Sequence, residues 1–394
     1  MKSSVLYFIL FATTLAFEIP VKRLVGEPEP FASGVPIDRD VGSTVYIGTV
    51  SIGNPGQDFN VAFDVNSAAL WVPDSACSCG IQCESKQLCP QLCAAHCCTT
   101  ITNLIGTKAK GTCTKKNIFD ASKSRSYVKT SGKIEVSFLN ETVDATLAYD
   151  TFRIGSHYRP GPTSDNVQFA LVKDFPESYQ KVNYDGVFGI GLAVGNALSS
   201  PIKQMAEHGV IPKPLLTVYL LPLDADNVVD GVLTLGQVDL QRCDRVENFI
   251  QVEKREGWVF SSPVFNASSS ASVSDPGWKG TFDFSTDYIH IPPKAFTAVI
   301  SSLSAKIDEE GRVVFACNRA TTFVFNIGGQ PILVPSTELT VPWGGGNCLL
   351  KLKQISPHDN YAFRFGAIAL AKHCVVFDFN GRLALPKKKA KTSS

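Results

Sequence analysis

The sequence predicts a mostly β protein made of two similar lobes, and three observations predict it. Stretches such as "TVYIGTVSIG", "NVAFDV", "SYVKTSGKIEVSF", "LLTVYLL", "GVLTLG" and "HCVVFDFNGRLALP" are rich in β-branched and aromatic residues and are punctuated by Gly, Asn and Pro. Helical signals are few. "FDVNSAALWVP" at 63–73 returns as "FDFSTDYIHIP" at 282–292, and "DGVFGIGL" at 185–192 returns as "FRFGAIAL" at 363–370. One copy of each motif per half is the mark of two lobes with a shared plan.

The two helical signals are specific. "SSPIKQMAEHG" offers Ser200 as N-cap, Pro201 in the first turn and Gly209 past the end. "PPKAFTAVISSLSAKI" places Phe296, Val299, Ile300 and Leu303 on one face.

The 394 residues, 44% hydrophobic, suffice for a large core and for two or three domains. A net charge of +1 gives no global field for nucleic acid, and no nucleic-acid partner is expected. The first residues, "MKSSVLYFILFATTLAFEIP", read as a secretory signal cleaved after Ala16. The apolar run is too short to span a membrane, and no later one is long enough. A monomer, secreted or held in a lysosomal or endomembrane lumen, is expected. The sharp run "PKKKAKTSS" at the end reads as a solvated, frayed terminus.

Twelve cysteines suit an oxidising compartment. Eight crowd together: Cys77, Cys79, Cys83, Cys89, Cys93, Cys97, Cys98 and Cys113. Their spacing is irregular, so disulfides are favoured over a zinc site with His96, and the pairing stays open. No metal or cofactor is expected. Asn140 and Asn266 open two sequons and would lie on the surface if glycosylated.

The repeat carries chemistry. Asp64 and Asp283 occupy the same place in the two copies, each ending an apolar run. Two carboxylates a few Å apart cannot both ionise easily. Such a pair can share a proton and hold a water, one acid activating it while the other polarises a carbonyl. That is peptide hydrolysis without a covalent intermediate.

Here the sequence resembles the pepsin-like aspartic peptidases, including invertebrate cathepsin D-like and pepsin-like members. "VYIGTVSIGNPGQDFNVAFD", "LWVPDSAC", "DGVFGIGLA", "LTVYLL", "GVLTLGQVD" and "VVFDFNGRLALP" fall in the family's order over nearly the whole chain. The resemblance implies a bilobal fold of two β-barrel-like lobes with few short helices. It implies that Asp64 and Asp283 are the catalytic pair and that Ser67 and Thr286 support them. It places Trp71 in the cleft and Phe138 on the flap, where the family has Tyr. It also implies disulfides Cys317–Cys348 and Cys243–Cys374. The chain divides into a signal peptide (1–16), a short prosegment-like extension (17–36) whose Lys22 reads as a solvated charge, with pairing to the acids in a zymogen as the alternative, a first lobe (37–241) with the Cys-rich insert 77–113, a second lobe (242–386) and a basic tail (387–394).

The active-site motifs depart from the family pattern of Asp, Thr or Ser, then Gly, then Ser or Thr. The copies read Asp64-Val65-Asn66-Ser67 and Asp283-Phe284-Ser285-Thr286. Val65 and Phe284 lack the hydroxyl that ties the lobes together. Asn66 and Ser285 put side chains where Gly leaves room. The flap tip "LNETVD" lacks its glycines, and a glycan on Asn140 would hinder closure. Arg364 falls beneath the second Asp, where a cation would hold a carboxylate ionised. The expectation is an aspartic endopeptidase homologue of weak activity acting on polypeptide. The alternative is a non-catalytic relative that binds peptides or a protein in the cleft or through the Cys-rich insert.

Overall fold

The structure is a computed structural model. It describes residues 17–25, 44–77, 91, 113, 115–138, 141–158, 161–195, 197–221, 231–253, 256–269 and 271–389. The signal segment, Asn140, most of the Cys-rich insert and residues 390–394 lie outside these.

Strands dominate as the sequence predicts. A 13-stranded sheet runs from Ile250–Gln251 through Arg382–Ala384, Val375–Asp378, Leu215–Leu220, Gly231–Leu235, Phe17–Val25 and Thr44–Ile52 into Gln57–Asp64. It continues through Gly186–Gly189, Leu70–Pro73, Thr163–Val172 and Glu141–Ile154 to Val128–Phe138. Strands from both halves of the chain share it, so the halves are joined by backbone hydrogen bonds. The second half adds a five-stranded sheet and two four-stranded sheets.

The sequence repeat is a structural repeat. Val61–Asp64 pairs in parallel with Gly186–Gly189, and Leu70–Trp71 runs antiparallel to the same strand. In the second half Gly280–Phe282 pairs in parallel with Phe363–Phe365, and Ile289–His290 runs antiparallel to it. Each central strand is thus flanked on both edges, which explains its continuous apolar run. Each loop also crosses its central strand closely. A Cβ on Gly189 would lie 2.2 Å from the Ala68 carbonyl carbon, and one on Gly366 2.2 Å from the Tyr288 oxygen. Only glycine fits there.

The helices form where predicted, at Pro201–Glu207 and Pro293–Leu303. The second buries Ala295, Phe296, Val299 and Leu303. Ser200 does precede the first helix, but its hydroxyl does not cap it. It donates instead to the Gly189 carbonyl at 2.7 Å, tying the helix to the strand behind Asp64.

Both ends of the described chain are built in. Phe17–Val25 lies between Gly231–Leu235 and Thr44–Ile52, with Ile19 and Val21 buried. Glu18 takes two bonds from Arg242, at 2.8 and 2.9 Å, while Lys22 is exposed. The tail does not fray before Lys389. The Lys388 and Lys389 N–H groups donate to Lys372 and Arg242 carbonyls, each at 2.8 Å. The Lys388 ammonium reaches the carbonyls of Leu220 and Ala371. The expectation of a solvated tail overlooked this: a lysine stem packs well, and its head can satisfy carbonyls at a strand end.

Among the described residues the disulfides are Cys77–Cys113, Cys243–Cys374 and Cys317–Cys348. The first closes the neck of the Cys-rich insert. Asn266 is half-buried within Val264–Ser268, hydrogen-bonded to strands on both sides. Its amide oxygen is buried without a hydrogen-bond partner, which sets this sequon apart from a freely exposed surface asparagine.

Candidate active site

Asp64 ends the strand Gln57–Asp64, and Asp283 directly follows Lys279–Phe282. Parallel pairing on each side brings them to equivalent ends of the two repeat units. Asp64 Oδ1 accepts the Asn66 N–H at 2.8 Å, and Asp283 Oδ1 accepts the Ser285 N–H at 3.0 Å. The loops therefore curl the same way around each acid. Asp64 meets some solvent but lies largely among protein atoms. Burial pushes its carboxyl up to about 6. The Asn66 N–H opposes that rise, Asp283 adds to it, and the Ser67 N–H opposes it again. The influence of Asp283 puts the two carboxylates within electrostatic reach of each other.

The two acids are not equivalent. Asp283 is 6% exposed, and both its oxygens are engaged. Oδ1 takes the Ser285 hydroxyl at 2.5 Å as well as the N–H. Oδ2 takes Arg364 Nη1 at 2.8 Å. The other arm of that guanidinium, Nη2, reaches Asp359 Oδ2 at 2.5 Å. Burial alone would weaken the hold of Arg364 on its proton. Asp283 and Asp359 more than offset this, and the guanidinium is held above its ordinary range. Arg364 follows from the sequence, lying one residue inside the strand Phe363–Phe365 and paired with Thr281. Asp359 and the Ser285 hydroxyl carry no sequence signal, because only the fold brings them to Arg364 and Asp283.

The residues that replace the family's hydroxyls are buried. Val65 is 4% exposed and joins the main core. Phe284 packs against Phe282 and Phe377, with centroids at 6.0 and 6.4 Å. The Thr286 hydroxyl accepts the Tyr288 N–H at 3.1 Å, and the Ser67 N–H lies near enough to Asp64 to lower its carboxyl. A bond between the lobes beside the pair runs instead from Trp258 Nε1 to the Ile190 carbonyl at 2.9 Å.

An aromatic cluster stands on the flap side. Trp71 is fully buried, with Phe138 edge-on at 5.9 Å and Phe175 and Tyr179 at 5.5 and 6.3 Å. Phe138 cannot accept a hydrogen bond, and the Trp71 indole N–H is buried without a partner. Phe175, Tyr179 and Tyr184 were not singled out in the sequence, since aromatic residues in a β protein usually mark core. Burial and then the Asp64 charge raise the Tyr184 phenol, so its ring stands near that carboxylate. Among the described residues no cluster of His, Cys, Asp and Glu could hold a metal ion.

Two lobes with paired β units, each presenting one aspartate at the same strand end, define the architecture of an aspartic peptidase. The comparisons agree. The family model "Eukaryotic aspartyl protease" matches residues 45–384. Aspartic protease 10 of Caenorhabditis elegans is 26% identical over 88% of this chain and 84% of its own length. Aspartic protease 2 of Necator americanus is 23% identical over 84% and 80%. Pepsin A of Bos taurus is 24% identical over 85% and 82%. The chain belongs to the eukaryotic aspartyl protease family.

Proposed function

We propose that this member has lost efficient hydrolysis and keeps the cleft between its lobes to bind polypeptide in an extended conformation. One observation carries the reading: Asp283 has both oxygens committed, to Ser285 and to Arg364. A working pair must hold one water between two carboxylates and pass a proton between them. The ion pair brings a guanidinium of the same lobe onto one of the two Asp283 oxygens, where it competes with such a water. The hydroxyl-for-apolar exchanges at Val65 and Phe284 remove further donors, and each lost donor at a preorganised site costs on the order of 10²-fold in rate. The peptide remains the ligand class because both repeat units keep the family's strand plan around the two acids.

The protein acts after export, as a secreted or lumenal monomer. In support, the described cysteines form three disulfides, which suits an oxidising compartment.

The test is cleavage of an unfolded protein from pH 3 to 7, with Asp64→Ala and a statine-type inhibitor as controls. No turnover, together with saturable binding of peptides by the folded protein, is the expected result. Turnover that both controls abolish would refute the reading and make Asp64 and Asp283 a functioning catalytic pair.

A further inference from the structure

The sheet face that carries Asp64 is packed with aromatic rings. Ala62 lies two residues before Asp64 on the same strand, so both point to one face. Ala62 pairs with Val187, and Val187 pairs with Trp71. Residues paired across strands share a face, so Trp71 stands on the Asp64 side of the sheet. Phe138, Phe175, Tyr179 and Tyr184 gather with Ala62, Val187 and Trp71 in one apolar cluster. Burial and then the Asp64 charge hold the Tyr184 phenol up, so the cluster reaches as far as that carboxylate.

Phe138 closes the group. It ends the strand Val128–Phe138 and pairs with Glu141 at the start of the next. Its ring meets Trp71, Phe175 and Tyr179 edge-on, with centroids 5.9, 6.4 and 5.4 Å away. Phe175 and Tyr179 stack on each other at 3.9 Å. Edge-to-face contact with three rings at once fixes the position of the fourth. Trp71 and Tyr179 are fully buried, Phe138 is 1% exposed, and even the indole N–H of Trp71 is sealed from solvent. The Ser178 hydroxyl donates to Glu141 Oε1 at 3.1 Å, which ties the end of the hairpin to the turn Glu177–Lys181 that carries Tyr179. An extended peptide sends alternate side chains to opposite sides. One that crosses Asp64 aims a side chain at this face and meets rings already in contact. A packed group of this kind takes no extra side chain without displacing one of its own.

We infer that Phe138, seated among Trp71, Phe175 and Tyr179, plugs the cleft beside Asp64 and restricts the bound peptide to a small residue, Gly, Ala or Ser, at the position that faces it. Phe138 is therefore a specificity-determining residue. The inference rests on the proposed peptide-binding role of the cleft. It adds a ligand class, extended polypeptides whose segment at Asp64 is poor in bulky apolar residues.

The test uses the full secreted protein and two fluorescent octapeptide mixtures with randomised polar flanks. The four central positions are Ala in one mixture and Leu in the other, so every binding register offers the same contrast. Binding is followed by anisotropy. The parent should bind the Ala mixture about tenfold more tightly, although leucine has more apolar surface to bury. Phe138→Ala should remove that preference by strengthening the Leu mixture and leaving the Ala mixture within about twofold. Phe138→Val, which keeps a residue suited to a strand, should act in the same direction to a smaller extent. Phe296→Ala removes a buried ring from the helix Pro293–Leu303 and should leave the preference unchanged. Equal binding of the two mixtures by the parent, or tighter binding of the Leu mixture, overturns the plug and leaves the cleft reading standing. A preference for Ala that survives in a folded Phe138 variant overturns the role of Phe138. Binding of neither mixture overturns the cleft reading and the plug together.

Discussion

Arg364 Nη1 donates to Asp283 Oδ2 at 2.8 Å, with 34% of the arginine side chain and 9% of the aspartate side chain exposed. The pair is mostly buried, so breaking it from one side leaves an uncompensated charge. Arg364→Met should cost about 3 kcal/mol in urea unfolding at pH 7. Asp283→Asn should cost a similar amount, since it strands the guanidinium. The double variant should be less destabilised than the sum of the two by more than about 1 kcal/mol. Additive effects would mean that the two groups are not coupled in solution.

Asp64 makes the opposite prediction. Its carboxyl is pushed up to about 6 by burial, the rise being opposed by the Asn66 N–H and reinforced by Asp283. An unfolded aspartate releases its proton near pH 4. Between these values the folded state binds more protons, so stability falls as pH rises through the window. The contribution is intact below about pH 4 and gone above about pH 6. Asp64→Asn carries no titrating group, so it should exceed the parent by about 2–3 kcal/mol at pH 7 and match it at pH 4. An equal difference at both pH values would sink the assignment.

Local chemistry decided how much of this was legible in the sequence. The β class, the repeat and both helices follow from patterns that survive in one dimension. The close crossings at Gly189 and Gly366 appear in the sequence as apolar runs around a glycine. The ion triad is different. Asp359 lies on a loop before the strand Phe363–Phe365, and nothing in "SPHDNY" distinguishes it from a solvated acid. The partners of Ser200 and Lys388 were hidden for the same reason: a cap-like serine and a tail lysine have ordinary local roles, and tertiary contacts took precedence. The face shared by Asp64, Ala62 and Trp71 depends on strand register across two neighbours, which no local pattern encodes.

The N-terminal strand bears on processing. Ile19 and Val21 are 3% and 1% exposed, and Glu18 chelates Arg242. Removing Phe17–Val25 would uncover the edges of Gly231–Leu235 and Thr44–Ile52 together. Mass spectrometry of the secreted protein should find Phe17 as the first residue after signal cleavage. Deletion of 17–25 should give aggregated or unsecreted protein. A folded secreted form that starts beyond Val25 would show the strand to be a removable prosegment after all.

The last turn of chain gives an alkaline test. The Lys388 ammonium donates to the Ala371 carbonyl at 3.1 Å and to that of Leu220, with the Tyr219 ring 5.0 Å away. Burial first, and then Lys372, lower it to about 8, against a smaller upward pull from Glu338. An unfolded lysine keeps its proton to about pH 10.4. Between these values the unfolded chain binds more protons, so the contribution to stability grows as pH rises from about 8 and is absent below it. Lys388→Met has nothing to titrate and keeps a stem of similar length. Relative to that variant, the parent should gain about 2 kcal/mol between pH 7.5 and pH 10, the shift being discounted for partial exposure. Parallel pH profiles for the two proteins would place the ammonium in water and undo the docking of the tail.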